Sequence, residues 1–194
     1  EGTDSDPLPL SRGRGAGGEG ATAIGYHRVV LDAATRTVRF ALPGIEIDLG
    51  AIQDNFARVK RYLNPTTKIL AVVKANAYGH GLLPVAQMLA KQVHYFGVNS
   101  VEEAMILREA GIITPVLIFG PVPRSRIPAC ILHRVSLTVS SLEVAQRTSQ
   151  AAVELRTPAS IHVKVDTGMG RLGLLLQSAA NTIRHIAGLP GLVL

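Results

Sequence analysis

"KILAVVKANAYGHGLLPVAQMLAKQ", residues 68–92, joins a continuous apolar run to a lysine, a Gly-punctuated segment and a second apolar stretch. Ile69, Leu70, Ala71, Val72 and Val73 do not alternate with polar residues. That is the pattern of a strand covered on both faces, as in a parallel sheet. Gly79 and Gly81 permit a tight turn, and "LLPVAQMLAKQ" reads as a helix with Pro84 in its first turn. The stretch is strand, loop, helix, and Lys74 stands at the strand's carboxyl end.

The same rhythm extends in both directions. "IEIDL" (45–49) reads as a short strand, and Ile52, Phe56, Val59 and Leu63 follow at helical spacing until Asn64 and Pro65 stop them. Further strands are expected at 95–98 ("YFGV"), 115–119 ("PVLIF"), 135–139 ("VSLTV") and 159–165 ("ASIHVKV"), with helices in most of the gaps. Ser100 with Glu103 and Ser140 with Glu143 each fit a capping box, and Gly111 sits where the first of these helices should end. The array is α/β, a partial (β/α)8 TIM-type barrel of about five of the eight βα units, with "GLVL" at 191–194 as the start of a sixth strand. Ahead of it, residues 1–25 are rich in Gly and short of large apolar groups and read as a linker, while 26–44 reads as two short strands turning at Ala33 to Arg36. The division is therefore 1–44, an extension of unassigned role, and 45–194, the array.

At 194 residues and 47% hydrophobic, the chain can bury a sizeable core as one domain. Charged, Gly or Pro residues interrupt every apolar run, so no membrane span is expected. The net charge of +6 is spread over Arg12, Arg14, Arg58, Lys60, Arg124, Arg134 and others, which reads as a solvated basic surface rather than a nucleic-acid face. Cys130 is the only cysteine, so no internal disulfide can form and a reducing, cytoplasmic setting is expected. The first residues do not read as a signal peptide, and a chain that starts at Glu1 without methionine reads as an internal piece of something longer.

Chemistry in a βα array gathers at the carboxyl ends of the strands. Two such ends stand out, Lys74 and "HVKVDTGMGRLG" at 162–173. Strand alternation sends His162, Lys164 and Asp166 to one face, and if that face lines a barrel a lysine lies inside it. A buried lone ammonium is costly, so it must be paired, lose its proton or be modified. Lys74 alone fits a lysine snorkelling at a strand end, or a desolvated amine of the kind that Schiff-base chemistry uses. Tyr78 fits a core residue as well as a phosphate donor, and Asp166 fits a turn residue. Arg171, on a Gly-flanked loop, fits a surface charge or a grip on a carboxylate or phenolate. His80 and His162 have no second ligand at metal spacing, so no metal site is expected.

Taken together, "AVVKANAYGHG" resembles the pyridoxal-phosphate attachment segment of alanine racemases. "KVDTGMGRLG" resembles a second segment of that family at a similar separation, and "IEIDLGAIQDNF" its opening segment. The resemblance covers residues 45–194. It implies a barrel that binds pyridoxal 5'-phosphate, a following β-rich domain, a homodimer, and interconversion of L- and D-alanine for cell-wall precursor synthesis. By the same resemblance, Lys74 carries the cofactor and acts as base toward D-alanine, and Tyr78 bonds the cofactor phosphate. Arg171 lies near the phenolic oxygen and the substrate carboxylate, and Lys164 is carbamylated. The family barrel continues past "GLVL" with further cofactor contacts, and the family's opposite-face tyrosine lies in the C-terminal domain, so residues 1–194 alone are expected to be inactive and "IEIDL" to lack its sheet. A related amino-acid decarboxylase on the same barrel, or a non-catalytic binder of the cofactor, are the alternatives.

Overall fold

The structure, a computed structural model, describes residues 22–24, 27–32, 37–40 and 46–194. Four strands come first: β1 (Thr22–Ile24), β2 (His27–Asp32), β3 (Thr37–Phe40) and β4 (Glu46–Asp48). They pair antiparallel in the order β1-β2-β3-β4. The expected strand pair is therefore present as β2 and β3, while its turn at 33–36 and most of the expected linker lie outside the described residues. Two expectations are corrected. Thr22–Ile24, read as linker, is a strand, and "IEIDL" does have a sheet, because Ile47 pairs with Val38.

After α1 (Leu49–Arg61) come β5 (Leu70–Val72), α2 (Lys74–Tyr78), α3 (Leu82–Leu89), β6 (Tyr95–Val98), α4 (Val101–Glu109) and β7 (Val116–Ile118). The chain continues through α5 (Ile127–Leu132), β8 (Val135–Val139), α6 (Leu142–Glu154) and β9 (Ala159–Val163) to β10 (Val165–Asp166) and β11 (Leu174–Leu175). It finishes with α7 (Leu176–Ala187) and β12 (Leu192–Val193). Strands β5, β6, β7, β8, β9 and β12 are parallel neighbours in that order, so each βα unit lays its strand beside the one before.

The core lies between this sheet and its helices. Phe96, Val98, Val116, Ile118 and Val139 meet Ala104, Leu107, Ala145, Ala152 and Ile186, all nearly sealed from water. On β9 the pattern alternates, with Ala159 and Ile161 buried and Ser160 and His162 exposed. The other face is concave. Tyr95 on β6 and His162 on β9 stack edge to face with centroids 5.7 Å apart. Three strand spacings of about 4.8 Å would separate them by about 14 Å on a flat sheet. The sheet therefore curls as a barrel wall does, and His162 and Lys164 share its inner surface as the alternation predicts.

The helix ends show how local rules were modified. Ser100 Oγ accepts from the Glu103 N–H at 3.3 Å and starts α4, and Gly111, with φ of 75°, follows its end. The Glu103 carboxylate does not return to Ser100, so only half of the expected box forms. The second box does not form. Ser141, not Ser140, caps α6 by accepting from Val144, and Glu143 pairs with Arg147. β5 also departs from the reading of a strand covered on both faces, since Val72 is 40% exposed on the concave side.

Candidate active site

Val73, 1% exposed, donates its N–H to the Gly97 carbonyl at 2.8 Å and so fixes the chain where it leaves β5. Lys74 follows at once. The next four residues are left-handed: φ is 52° at Ala75, 55° at Asn76, 53° at Ala77 and 55° at Tyr78. α2 is thus helical in its bonding, with Ala77 N–H donating to Val73 O at 2.9 Å, but of the hand that L-residues avoid at a cost of about 1–2 kcal/mol each. Asn76 tolerates this conformation best among the four. Its Oδ1 accepts from Leu82 N–H at 2.8 Å and its carbonyl from Gly81 N–H at 2.9 Å, which ties the turn to the start of α3. From the other side, the Glu103 carboxylate accepts from Ala75 N–H at 2.6 Å and from Asn99 N–H at 2.8 Å. The His80 ring bonds the Ala77 carbonyl at 2.9 Å.

The second expected segment closes on itself. Lys164 extends the ladder, donating its N–H to Val139 O at 2.8 Å, and its carbonyl accepts from Leu174 N–H at 2.8 Å. β10 and β11 then run parallel, Val165 beside Leu174, and pinch residues 166–173 into a loop. Asp166 Oδ1 accepts from Gly168 and Gly170 N–H, each at 3.0 Å, and these two bonds hold its carboxyl below the usual range. Gly173 is required there. Its φ is 140°, and a Cβ would stand 2.6 Å from the Asp166 nitrogen.

These loops meet across a cavity of about 530 Å³, at the carboxyl ends of the strands and within the usual size of small-ligand sites. Lys74, Lys164 and Arg171 all line it, together with Asn99, Gly120 and Leu172. Three of the four expected site residues are thus brought to one place. Tyr78 is not among the lining residues. It is 61% exposed and lies beside the site, with Lys74 Nζ 5.9 Å from its ring centre, so it is not the core residue that the sequence allowed. Sequence reasoning missed Asn99 and the "FGP" segment at 119–121, whose Phe119 and Pro121 complete the lining. Their signal was position alone, since both follow a parallel strand. The two walls touch closely: a Cβ on Gly120 would lie 2.3 Å from the Asn99 carbonyl oxygen.

The lining presents three cationic side chains and no carboxylate. Such a cavity is built for an anion, and its amine and guanidinium suit an aldehyde-bearing phosphate ester with a carboxylate beside it. Pyridoxal phosphate fits this set. Cys130 takes no part, being buried in α5, where burial pushes its thiol up to about 11.

The chain was compared with known proteins. The family model described as "Alanine racemase, N-terminal domain" matches residues 47–194. Alanine racemase 1 of Caldanaerobacter subterraneus subsp. tengcongensis is 40% identical over 152 residues, covering 77% of this chain and 39% of that relative. An alanine racemase structure from Clostridium difficile 630 superposes with a TM-score of 0.73 at 35% identity, over 75% of this chain and 39% of that one. Another from that organism, in complex with cycloserine, gives 0.74 at the same identity. The chain spans about two fifths of the length of the relatives it matches. With the lysine at the mouth of β5, the cationic cavity and the parallel barrel wall all in place, this chain belongs to the alanine racemase family, whose N-terminal domain it carries.

Proposed function

We propose that the protein holds pyridoxal 5'-phosphate on Lys74 and interconverts L- and D-alanine. The observation that carries this reading is the single cavity in which Lys74, Lys164 and Arg171 converge with no acid among them. When bound, the cofactor supplies an electron sink for the α-carbon of an amino acid. Lys74 Nζ anchors the cofactor and, once freed by substrate, takes or returns the α-proton on its own face. Arg171 grips the substrate carboxylate, and Tyr78, beside Lys74, donates its phenol toward the phosphate at the cavity mouth. Lys164 becomes a carbamate: its ammonium gives one proton to solvent, the neutral amine adds to carbon dioxide, a second proton leaves, and a third cation becomes an anion able to hold Arg171. Racemisation needs a second base on the opposite face. We place that group outside residues 47–194, in a homodimer working in the cytoplasm on precursors of the cell wall.

The test is to incubate the intact protein with L-alanine and pyridoxal phosphate and to follow D-alanine and carbon dioxide together. D-Alanine without carbon dioxide is expected, and Lys74→Ala should lower its rate by at least the roughly 10² to 10⁴ of a general acid–base group. Carbon dioxide without D-alanine would favour a decarboxylase, and neither product a non-catalytic binder.

A further inference from the structure

We propose that Glu103 is a positioning residue that aims Lys74 into the cavity by gripping two βα loops with one carboxylate. The proposal rests on the reading of Lys74 as the cofactor-bearing amine. Glu103 is half-buried in the first turn of α4, a place where a carboxylate ordinarily serves its own helix. It does otherwise. One oxygen takes the N–H of Ala75, the residue next to Lys74 and 28 positions away in sequence, at 2.6 Å. The other takes the N–H of Asn99, a cavity wall residue, at 2.8 Å. The Glu103 N–H itself is capped by Ser100 Oγ. Glu143, also in the first turn of its helix but one position earlier after the cap, pairs with Arg147 on α6 itself.

Both groups that Glu103 serves are donors, and the carboxylate gives each its own acceptor oxygen. A glutamine offers one oxygen and turns an NH2 toward the other N–H. Ala75 opens the left-handed turn, where an amide has no partner within the turn itself. With the carboxylate removed, Ala75 loses its tether and the turn is free to relax toward the right-handed region that alanine prefers. Lys74 shares that peptide unit and turns with it.

Wild-type, Glu103→Ala and Glu103→Gln proteins are to be compared with two probes. Pyridoxine phosphate lacks the aldehyde and reports on the cavity, whereas pyridoxal phosphate reports on the amine through imine absorbance. Glu103→Ala should bind pyridoxine phosphate as the wild type does, yet form the imine about tenfold or more slowly, with Glu103→Gln between the two. Hydrogen exchange at the Ala75 amide should quicken in the same order while that of Val98 in β6 stays unchanged. Imine formation at the wild-type rate in Glu103→Ala overturns the proposal. So does an equal loss of both probes, which a merely structural role produces. If the alanine variant does not fold, Glu103→Gln is judged by the same two criteria. Failure of the underlying reading is seen separately, as an undiminished imine rate in Lys74→Ala, and it overturns both.

Discussion

Lys164 sits half-buried at the end of β9 and lines the same cavity as Lys74 and Arg171. The carbamate proposed for Lys164 would turn one of the three basic lining side chains into an acidic one. With labelled bicarbonate, a carbamate carbon signal is expected in the wild type and absent from Lys164→Ala. That variant should lose roughly tenfold to a hundredfold in racemisation, the worth of a hydrogen bond to a charged group, and regain part of it with acetate. A missing signal together with no rescue would contradict the modification. Asp166 gives a pH-dependent test. Its folded value lies below the ordinary 3.8, chiefly through the Gly170 and Gly168 amides, so its contribution is present above that pH and is lost as pH falls through the lower folded value. The Gly168 and Gly170 amide resonances should therefore shift together with a midpoint under 3.8, and Asp166→Asn should abolish the transition. A midpoint above it would mean that the loop is not held this way. Lys74 and Lys164 stood out in the sequence because a charge at the end of an apolar strand is conspicuous, and Arg171 because it stands on a loop among glycines. Glu103 was not, since Ser100 three residues earlier offers a sufficient local explanation.

Among the elements, the left-handed α2 is one that sequence reading did not reach. "KANAY" contains alanines that ordinarily favour a right-handed helix, and its hand is set by bonds to Glu103 and to the start of α3 rather than by its own residues. Ala75 is exposed, so Ala75→Gly should raise stability by about 0.5–1 kcal/mol in denaturant unfolding, because glycine adopts positive φ freely. In a right-handed helix the same change costs about 0.5–1 kcal/mol, so the sign of the measurement decides the hand. Strand positions were legible from their Val, Ile and Leu runs to within about a residue or two, the usual uncertainty of element ends. The cap of α6 was misplaced for a local reason: Ser140 and Ser141 are adjacent, and only the backbone shows which one has left the helix.

Across the whole molecule, six parallel strands in chain order and the Tyr95–His162 contact make a curved wall, with helices outside and Lys74, Lys164 and Arg171 at one rim. The repeat of strand and helix announced the wall. It did not announce the partner of β4, because pairing Ile47 with Val38 is a matter of register between segments, and neither carries the long alternation that fixes one. Nor did it show the opposite end of the wall, where the Arg108 guanidinium donates to the carbonyls of Ile112, Thr114, His133 and Arg134 and locks the loops beneath the strands. That bracing leaves the upper rim to present Lys74. The central claim is that this lysine, among the five in the chain outside its arginines, carries the cofactor. It is tested most directly by adding pyridoxal phosphate to the protein, reducing with borohydride and mapping the labelled peptide by mass spectrometry. The label is predicted on Lys74 within "ILAVVKANAYGHG", and a label confined to Lys60, Lys68, Lys91 or Lys164, with Lys74 unmodified, would contradict it.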